Sequence, residues 1–362
     1  RPRMSKAAEL AALIGSQSAL SNRNLIINGA MQVWQRGTGS TAVGSTNTYH
    51  ADRWLAREDS DGSLTTEQST DAPANFKYSN KVTVTSADTS IGAAQKCYFS
   101  QRVEGTVFDS LGFGTSAAKT TTLSFYVKSS LTGTFSGSLT NDNNNRSYPY
   151  EYTISSANTW ERKSVTFPGD TTGTWDTGSS DWLELYWDLG IGSNFEGSAG
   201  AWVAAQDFGT SGSTKLIGTN GATWLISGVQ WEQGEQATPF EHRSFGDELA
   251  ACQRYTYKAT ADSSYGHFGG GYGATTTIAY ANIPLPVKMR AIPSLTTSGS
   301  FRNYTAANSG RAITTGPSAL NSGTTMYSTQ ATSSSAGIGQ GDFVFLAANN
   351  DADAFLLFDA EL

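Results

Sequence analysis

Charge is scarce in this chain of 362 residues: Asp, Glu, Lys and Arg make up 15% of it, and 24 basic against 31 acidic residues leave a formal charge of −7. An acidic chain with no local Lys/Arg cluster repels a phosphate backbone, which excludes nucleic acid as a partner. No apolar run reaches the roughly 18 to 20 residues that a bilayer-spanning helix needs, so membrane insertion is not expected. The sequence does not open with a basic stretch and an apolar signal core, so it is expected to carry no secretory address and to be soluble. There are two cysteines, Cys97 and Cys252. Far apart and not in a Cys-x-x-Cys pair, they read as buried free thiols, with a disulfide as the alternative. The three histidines, His50, His242 and His267, have no second His or Cys at ligand spacing, which argues against a transition-metal site.

Catalytic signatures are missing as well. There is no Gly-x-Ser-x-Gly elbow, phosphate loop or dinucleotide fingerprint, and no cofactor is implied. The tract Gly269, Gly270, Gly271, Tyr272, Gly273 lacks the Lys and the following helix that phosphate binding needs, and it reads as a hairpin turn. A glycosidase requires two carboxyl groups across the scissile bond. Asp181 with Glu184, or Asp188 with Glu196, can be proposed as such a pair. Acids beside aromatics are usually solvated strand or loop positions, however, and no enzymatic activity is expected.

What is abundant is Gly, Ser, Thr and Asn, the composition of short strands joined by tight turns. Alternating or β-rich runs are expected as strands at residues 80–84, 97–103, 121–128, 162–167, 182–187 and 223–231, and then at 278–283, 294–298, 342–347 and 354–362. Residues 141–145 and 170–180 read as loops. One helix is expected over residues 5–14, with Ser5 as N-cap, Gly15 as stop and Leu10, Leu13 and Ile14 on one stripe. It is too short to stand alone, so it should bury that stripe against other chains or the particle; the alternative is a frayed tail. A second short helix over 247–254 reads as a hinge, with Asp247 and Glu248 at its N-terminal end. No repeat of fixed period is present.

The sequence holds nine Trp and fifteen Tyr. Saccharides present an apolar C–H face and a rim of hydroxyls, so their sites combine flat aromatic rings with amide and guanidinium groups. Tyr148, Tyr150, Trp175, Trp182 and Trp202 are flanked by turn-forming polar residues and are expected to be exposed stacking candidates, with Asn144 and Arg146 supplying hydroxyl contacts. Trp34, Trp54, Trp160, Trp224 and Trp231 sit in or beside strand-like runs and are assigned to packing.

The run NLIINGAMQVWQRG at residues 24–37, followed by ADRW at 51–54, resembles the opening of a large class of phage tail and fibre proteins. SQRVEG (100–105), LSFYVKSS (123–130) and TWERKSVTF (159–167) resemble successive strands of carbohydrate-binding jelly rolls. WLISGVQWEQGEQATPFEHRSFGDELAACQRY (224–255) resembles the phage proteins again, and IPLPVKMRAIPSL (283–295) resembles their terminal β domain. Such jelly rolls commonly hold a structural calcium, but Asn28, Gly29, Ala30, Met31 and Gln32 at the opening, with Ser227, Gly228, Val229 and Gln230 in the last strand, replace its acidic ligands, so no calcium of that kind is expected.

The resemblance implies an all-β protein. Its parts are an attachment segment (1–21), a carbohydrate-binding-like jelly-roll β-sandwich (22–245), a helical hinge (246–254) and a smaller C-terminal β-sandwich (255–362). It implies a virion protein of tail or particle surface, assembled in the host cytoplasm as a homotrimer. The expected partners are host cell-surface glycan and other phage tail or virion proteins. A purely structural virion protein and a polysaccharide depolymerase are the alternatives.

Overall fold

The computed structural model describes residues 22–305 and 308–362; the helix expected over residues 5–14, with Leu10, Leu13 and Ile14, lies outside them. The chain forms two units, one ending at Phe245 and the other spanning Gly246–Glu361.

The first unit begins with β1 (Thr41–Ala42), β2 (Thr48–Tyr49), β3 (Trp54–Glu58), β4 (Ser63–Ser69), β5 (Ser79–Ser86), β6 (Cys97–Glu104) and β7 (Thr121–Ser129). It continues with β8 (Gly133–Asn141), β9 (Ser147–Ile154), β10 (Glu161–Phe167), β11 (Trp182–Asp188), β12 (Glu196–Gly197), β13 (Gly209–Thr210) and β14 (Thr223–Gln233). Two six-stranded sheets result, the first ordered β1-β4-β5-β14-β7-β10 and the second β2-β3-β6-β11-β8-β9. The protein is all-β, and this unit is the expected jelly roll.

Alternation explains the layering. In β7, Leu123, Phe125 and Val127 join the core, as Leu183, Leu185 and Trp187 do from β11 in the opposite sheet, while the intervening residues face away. Trp54 stacks on Phe99 at 5.2 Å and Phe125 meets Trp187 edge-on at 5.5 Å. Burying each such side chain contributes about 1.5–3 kcal/mol. Cys97 and Cys252 are both buried and form no disulfide.

The phage-like opening is a hydrogen-bonded clasp. Asn28, fully buried and at φ 58°, donates through Nδ2 to the carbonyls of Val33 (2.9 Å) and Asp52 (3.0 Å), and its Oδ1 accepts from the amides of Gln32 (2.8 Å) and Val33 (3.0 Å). Asp52 in turn accepts from the Gln35 amide nitrogen at 2.9 Å and from its side chain at 2.5 Å. A β-carbon at Gly29 would collide with the carbonyl oxygen of Val229 in β14. Asn24 ties the same strand, donating to Val229 O at 3.1 Å and accepting from Trp231 N at 3.1 Å.

In the second unit a helix, Phe245–Gln253, stands where one over 247–254 was expected. The strands are β15 (Thr256–Thr260), β16 (His267–Gly273), β17 (Ile278–Pro284), β18 (Ser294–Ser298), β19 (Phe301–Thr305), β20 (Asn308–Ala319), β21 (Met326–Ser333), β22 (Phe343–Ala348) and β23 (Phe355–Asp359). The expected second sandwich is corrected here: β16-β17-β21-β20-β19-β22 closes into a barrel, beside a three-stranded sheet β15-β23-β18. Its interior combines small residues, among them Ala279, Ala281, Ala331 and Ala348, with Phe268, Ile283, Phe301, Tyr327 and Leu346. Register shifts in the β16–β22, β19–β20 and β20–β21 pairs add the local bending that closure needs. The glycine tract is corrected too: Gly269 to Gly271 lie within β16, where a β-carbon on Gly271 would strike the Tyr280 carbonyl of the neighbouring strand.

Candidate functional site

Four of the seven expected glycan contacts come together at the β8–β9 hairpin and the 168–181 loop. Asn141, ending β8, accepts from the amides of Asn145 and Arg146 at 3.0 Å each, and its own amide donates to Thr174 O at 3.0 Å. This turns Arg146 back onto Asp170 in a bidentate pair, Nε to Oδ2 at 2.8 Å and Nη2 to Oδ1 at 2.7 Å. Trp175 Nε1 donates to the same Oδ2 at 3.1 Å. The Trp202 ring meets Tyr148 at 5.3 Å and Trp175 at 5.4 Å, and its nitrogen donates to Pro168 O at 2.7 Å. Burial acts to raise the Asp170 carboxyl, but Arg146, the Thr172 amide and Trp175 together hold it below the usual carboxylate value.

This cluster is packed rather than open, and the expectation of exposure is corrected for Tyr148 and Trp175 within it and for Tyr150 beside it. Tyr148 is 6%, Tyr150 2% and Trp175 9% exposed. The cause is the phase of β9, in which Tyr148, Tyr150, Tyr152 and Ile154 face the core while Glu151 and Thr153 face water. Tyr150 donates its hydroxyl to Tyr186 O at 2.8 Å, and burial pushes its ionisation up. Trp202 is half-buried, and Asn144 occupies the hairpin tip at φ 52°. Trp182, half-buried, lies elsewhere, on β11, with the Arg102 guanidinium 4.7 Å from its ring centre.

A groove that the sequence reading missed lies on the outer face of the first sheet. Tyr126 of β7 and Arg162 of β10 are cross-strand neighbours on that face. Phe76 meets Tyr126 at 5.5 Å, Phe240 at 5.0 Å and His242 at 5.2 Å. Together with Asn75 and Pro239 these side chains enclose about 330 Å³. Arg162 is held by a 2.6 Å bond from Nη2 to Thr238 O. The floor depends on Gly228, at φ 61° in the irregular step of β14, where a β-carbon would come within 2.6 Å of Phe76 Cζ and 2.9 Å of Tyr126 Cδ2. The signals were Tyr126 alternating with inward Phe125 and Val127, and Phe240 and His242 spaced two apart.

The same face corrects one packing assignment. Trp34, Trp54, Trp224 and Trp231 are buried, but Trp160 is only half-buried, and its nitrogen donates to Asp71 Oδ1 at 2.9 Å while Lys128 Nζ donates to Oδ2 at 2.6 Å. Trp160 precedes β10 and shares the outward phase of Arg162. The groove and this platform offer ring faces to sugar C–H groups and Arg, His and Asn groups to hydroxyls.

The acid pairs are engaged in other ways. Lys215 Nζ bridges Asp188 at 2.8 Å and Glu196 at 2.9 Å. Glu184 accepts from Ser100 Oγ at 2.6 Å and pairs with Arg102 Nε at 2.9 Å, and Asp181 accepts from the Gly178 amide at 2.8 Å. Among the described residues no group of three His, Cys, Asp or Glu side chains is placed to hold a metal ion.

No family model and no curated protein matches the sequence. Solved structures similar to part of the chain include the carbohydrate-binding module TmCBM61 in complex with β-1,4-galactotriose (TM-score 0.30, 12% identity, 59% of this chain and 100% of that one). Another is the family 11 carbohydrate-binding module of a Clostridium thermocellum cellulosomal cellulase (TM-score 0.27, 12% identity, 56% and 99%). A third is the enzymatically active domain of tailspike protein 4 of bacteriophage CBA120 (TM-score 0.29, 13% identity, 58% of this chain but 21% of that one). The chain is an all-β protein in which a jelly roll carries an aromatic groove on the outside of one sheet.

Proposed function

We propose that this chain is a tail-fibre or tail-tip protein of a tailed bacteriophage that recognises host-surface glycan without chemical conversion. The groove of Tyr126, Phe76, Phe240 and Arg162 carries the reading, because it sets rings and hydrogen-bonding side chains together around a solvent-open space of about 330 Å³. The phage-like opening and closing motifs support placement at the virion surface. Affinity there comes from many copies acting at once, as a homotrimer and as repeated fibres. The test is a glycan array with the purified chain, run beside Tyr126→Ala. Binding that the variant abolishes supports the groove; a silent array, or binding indifferent to the variant, overturns it.

A purely structural virion role has one observation in its favour. The two phage-like motifs are bonded to each other, with the amide of Asn24 accepting and donating across to Trp231 and Val229. Virions lacking the protein separate the readings, since a structural role predicts loss of assembly and recognition predicts loss of adsorption alone.

A further inference from the structure

The barrel of the second unit carries aromatic side chains on its outer wall that the jelly-roll groove does not use. Ala279 and Ala281 of β17 and Val344 and Leu346 of β22 are buried in the interior, so the alternate positions face outward. Register sets those positions in rows. One row runs Tyr280, Tyr272, Phe343 across β17, β16 and β22. The next runs Asn282, Gly270, Phe345, Tyr304 and reaches β19, and a third joins His267 and Arg302 through the buried Ala347.

The wall is open to solvent at Tyr272, Phe343, Asn282 and His267, with Tyr280, Phe345, Tyr304 and Arg302 half-buried between them. Tyr272 is 52% and Phe343 60% exposed. Tyr272 meets Tyr280 at 5.5 Å, Phe343 meets Phe345 at 4.8 Å, and His267 stacks on Phe345 at 4.5 Å. Gly270 keeps the middle flat, since a β-carbon there would lie 2.9 Å from Phe343 Cζ. Exposed rings joined into one patch mark an interaction surface.

The chemistry of the rows selects the occupant. They contain no aliphatic side chain larger than Ala347, so a protein partner presenting Leu or Ile finds no aliphatic counterpart, whereas ring faces beside the exposed Asn282 amide match a sugar. They also contain no carboxylate, although the chain as a whole carries −7. Their cation is Arg302, whose guanidinium lies 4.3 Å from the Tyr265 ring centre and 5.3 Å from that of Tyr304. We propose that this wall binds an acidic polysaccharide, with rings under the C–H faces and Arg302 directed to the carboxylate. The proposal is independent of the jelly-roll groove.

Affinity electrophoresis of the full chain tests it, with polygalacturonate or hyaluronate in the gel and dextran as the neutral polymer. The expected result is retardation by an acidic polymer and not by dextran, weakened at least about tenfold in the Tyr272→Ala/Phe343→Ala double variant. Arg302→Gln should remove the preference for acid, and Tyr126→Ala, which disables only the jelly-roll groove, should leave the retardation by the acidic polymer in place. Because Tyr272 and Phe343 are exposed, the double variant should keep the wild-type melting temperature; if it does not, Tyr272→Ala alone must show the loss. No retardation by either acidic polymer, equal retardation by dextran, or retardation that survives loss of the rings overturns the proposal. Loss with Tyr126→Ala instead assigns the binding to the jelly roll and also overturns it.

Discussion

Trp54 donates its indole hydrogen to the carbonyl oxygen of Asn28 across 2.9 Å, both residues being buried. The bond joins the two halves of the phage-like opening, and Asn28 occupies the centre of that loop. Asn28→Ala leaves several backbone groups unsatisfied in the interior and should cost about 3 kcal/mol or more, read as a lowered melting temperature. Since the amide does this work, EDTA should leave the wild-type melting temperature unchanged.

Groove and core aromatics should separate cleanly. Tyr126→Ala and Phe240→Ala should weaken glycan binding by about 1–3 kcal/mol with little change in stability. Tyr150→Ala and Trp175→Ala should instead cost roughly 3–5 kcal/mol of stability. Thermal unfolding and glycan titration on the same four variants check both halves.

Gly228→Ala should act on both quantities. A side chain at φ 61° with Phe76 Cζ 2.6 Å away strains the backbone and displaces the ring. A stability loss of about 1–2 kcal/mol together with weakened glycan binding is expected.

The Arg146–Asp170 pair makes stability fall in acid. The folded carboxyl lies below its ordinary value of 3.8, so the folded state binds fewer protons than the unfolded chain there. The stabilisation is therefore complete above the unfolded value and is lost as pH falls through the lower, folded value. Asp170→Asn should be destabilised by about 3 kcal/mol at neutral pH because it strands a partly buried Arg146. The gap to wild type should narrow below about pH 4, as melting curves across pH will show.

The stripe of Leu10, Leu13 and Ile14 is expected to support a homotrimer. Light scattering should return three copies for the full chain and fewer after removal of residues 1–21. A monomer in both cases counts against it.

Strand positions were legible where alternation is strong: the run expected at 121–128 is β7, Thr121–Ser129, and that at 294–298 is β18, Ser294–Ser298. The strands β8 and β9 were not legible, because Gly, Ser and Thr fill most of β8 around Phe135 and Leu139, and the inward positions of β9 are tyrosines, whose hydroxyls make them read as surface residues. The polar residues flanking them made Tyr148 and Tyr150 look exposed, although Phe167 of β10 packs against both and Trp202 against Tyr148.

By itself, then, the sequence determined an all-β chain and a short helix followed by further strands, since these rest on local periodicity and turn chemistry, while the jelly roll was implied by the resemblance of its motifs. Only the tertiary structure decided that the last strands close into a barrel and that a glycine tract lies flat within one of them. It alone brought Phe76 to Phe240, from segments with the ten strands β5 to β14 between them, over a glycine whose missing side chain leaves room for the rings. Such contacts depend on register and close approach between distant segments, and no local pattern encodes either.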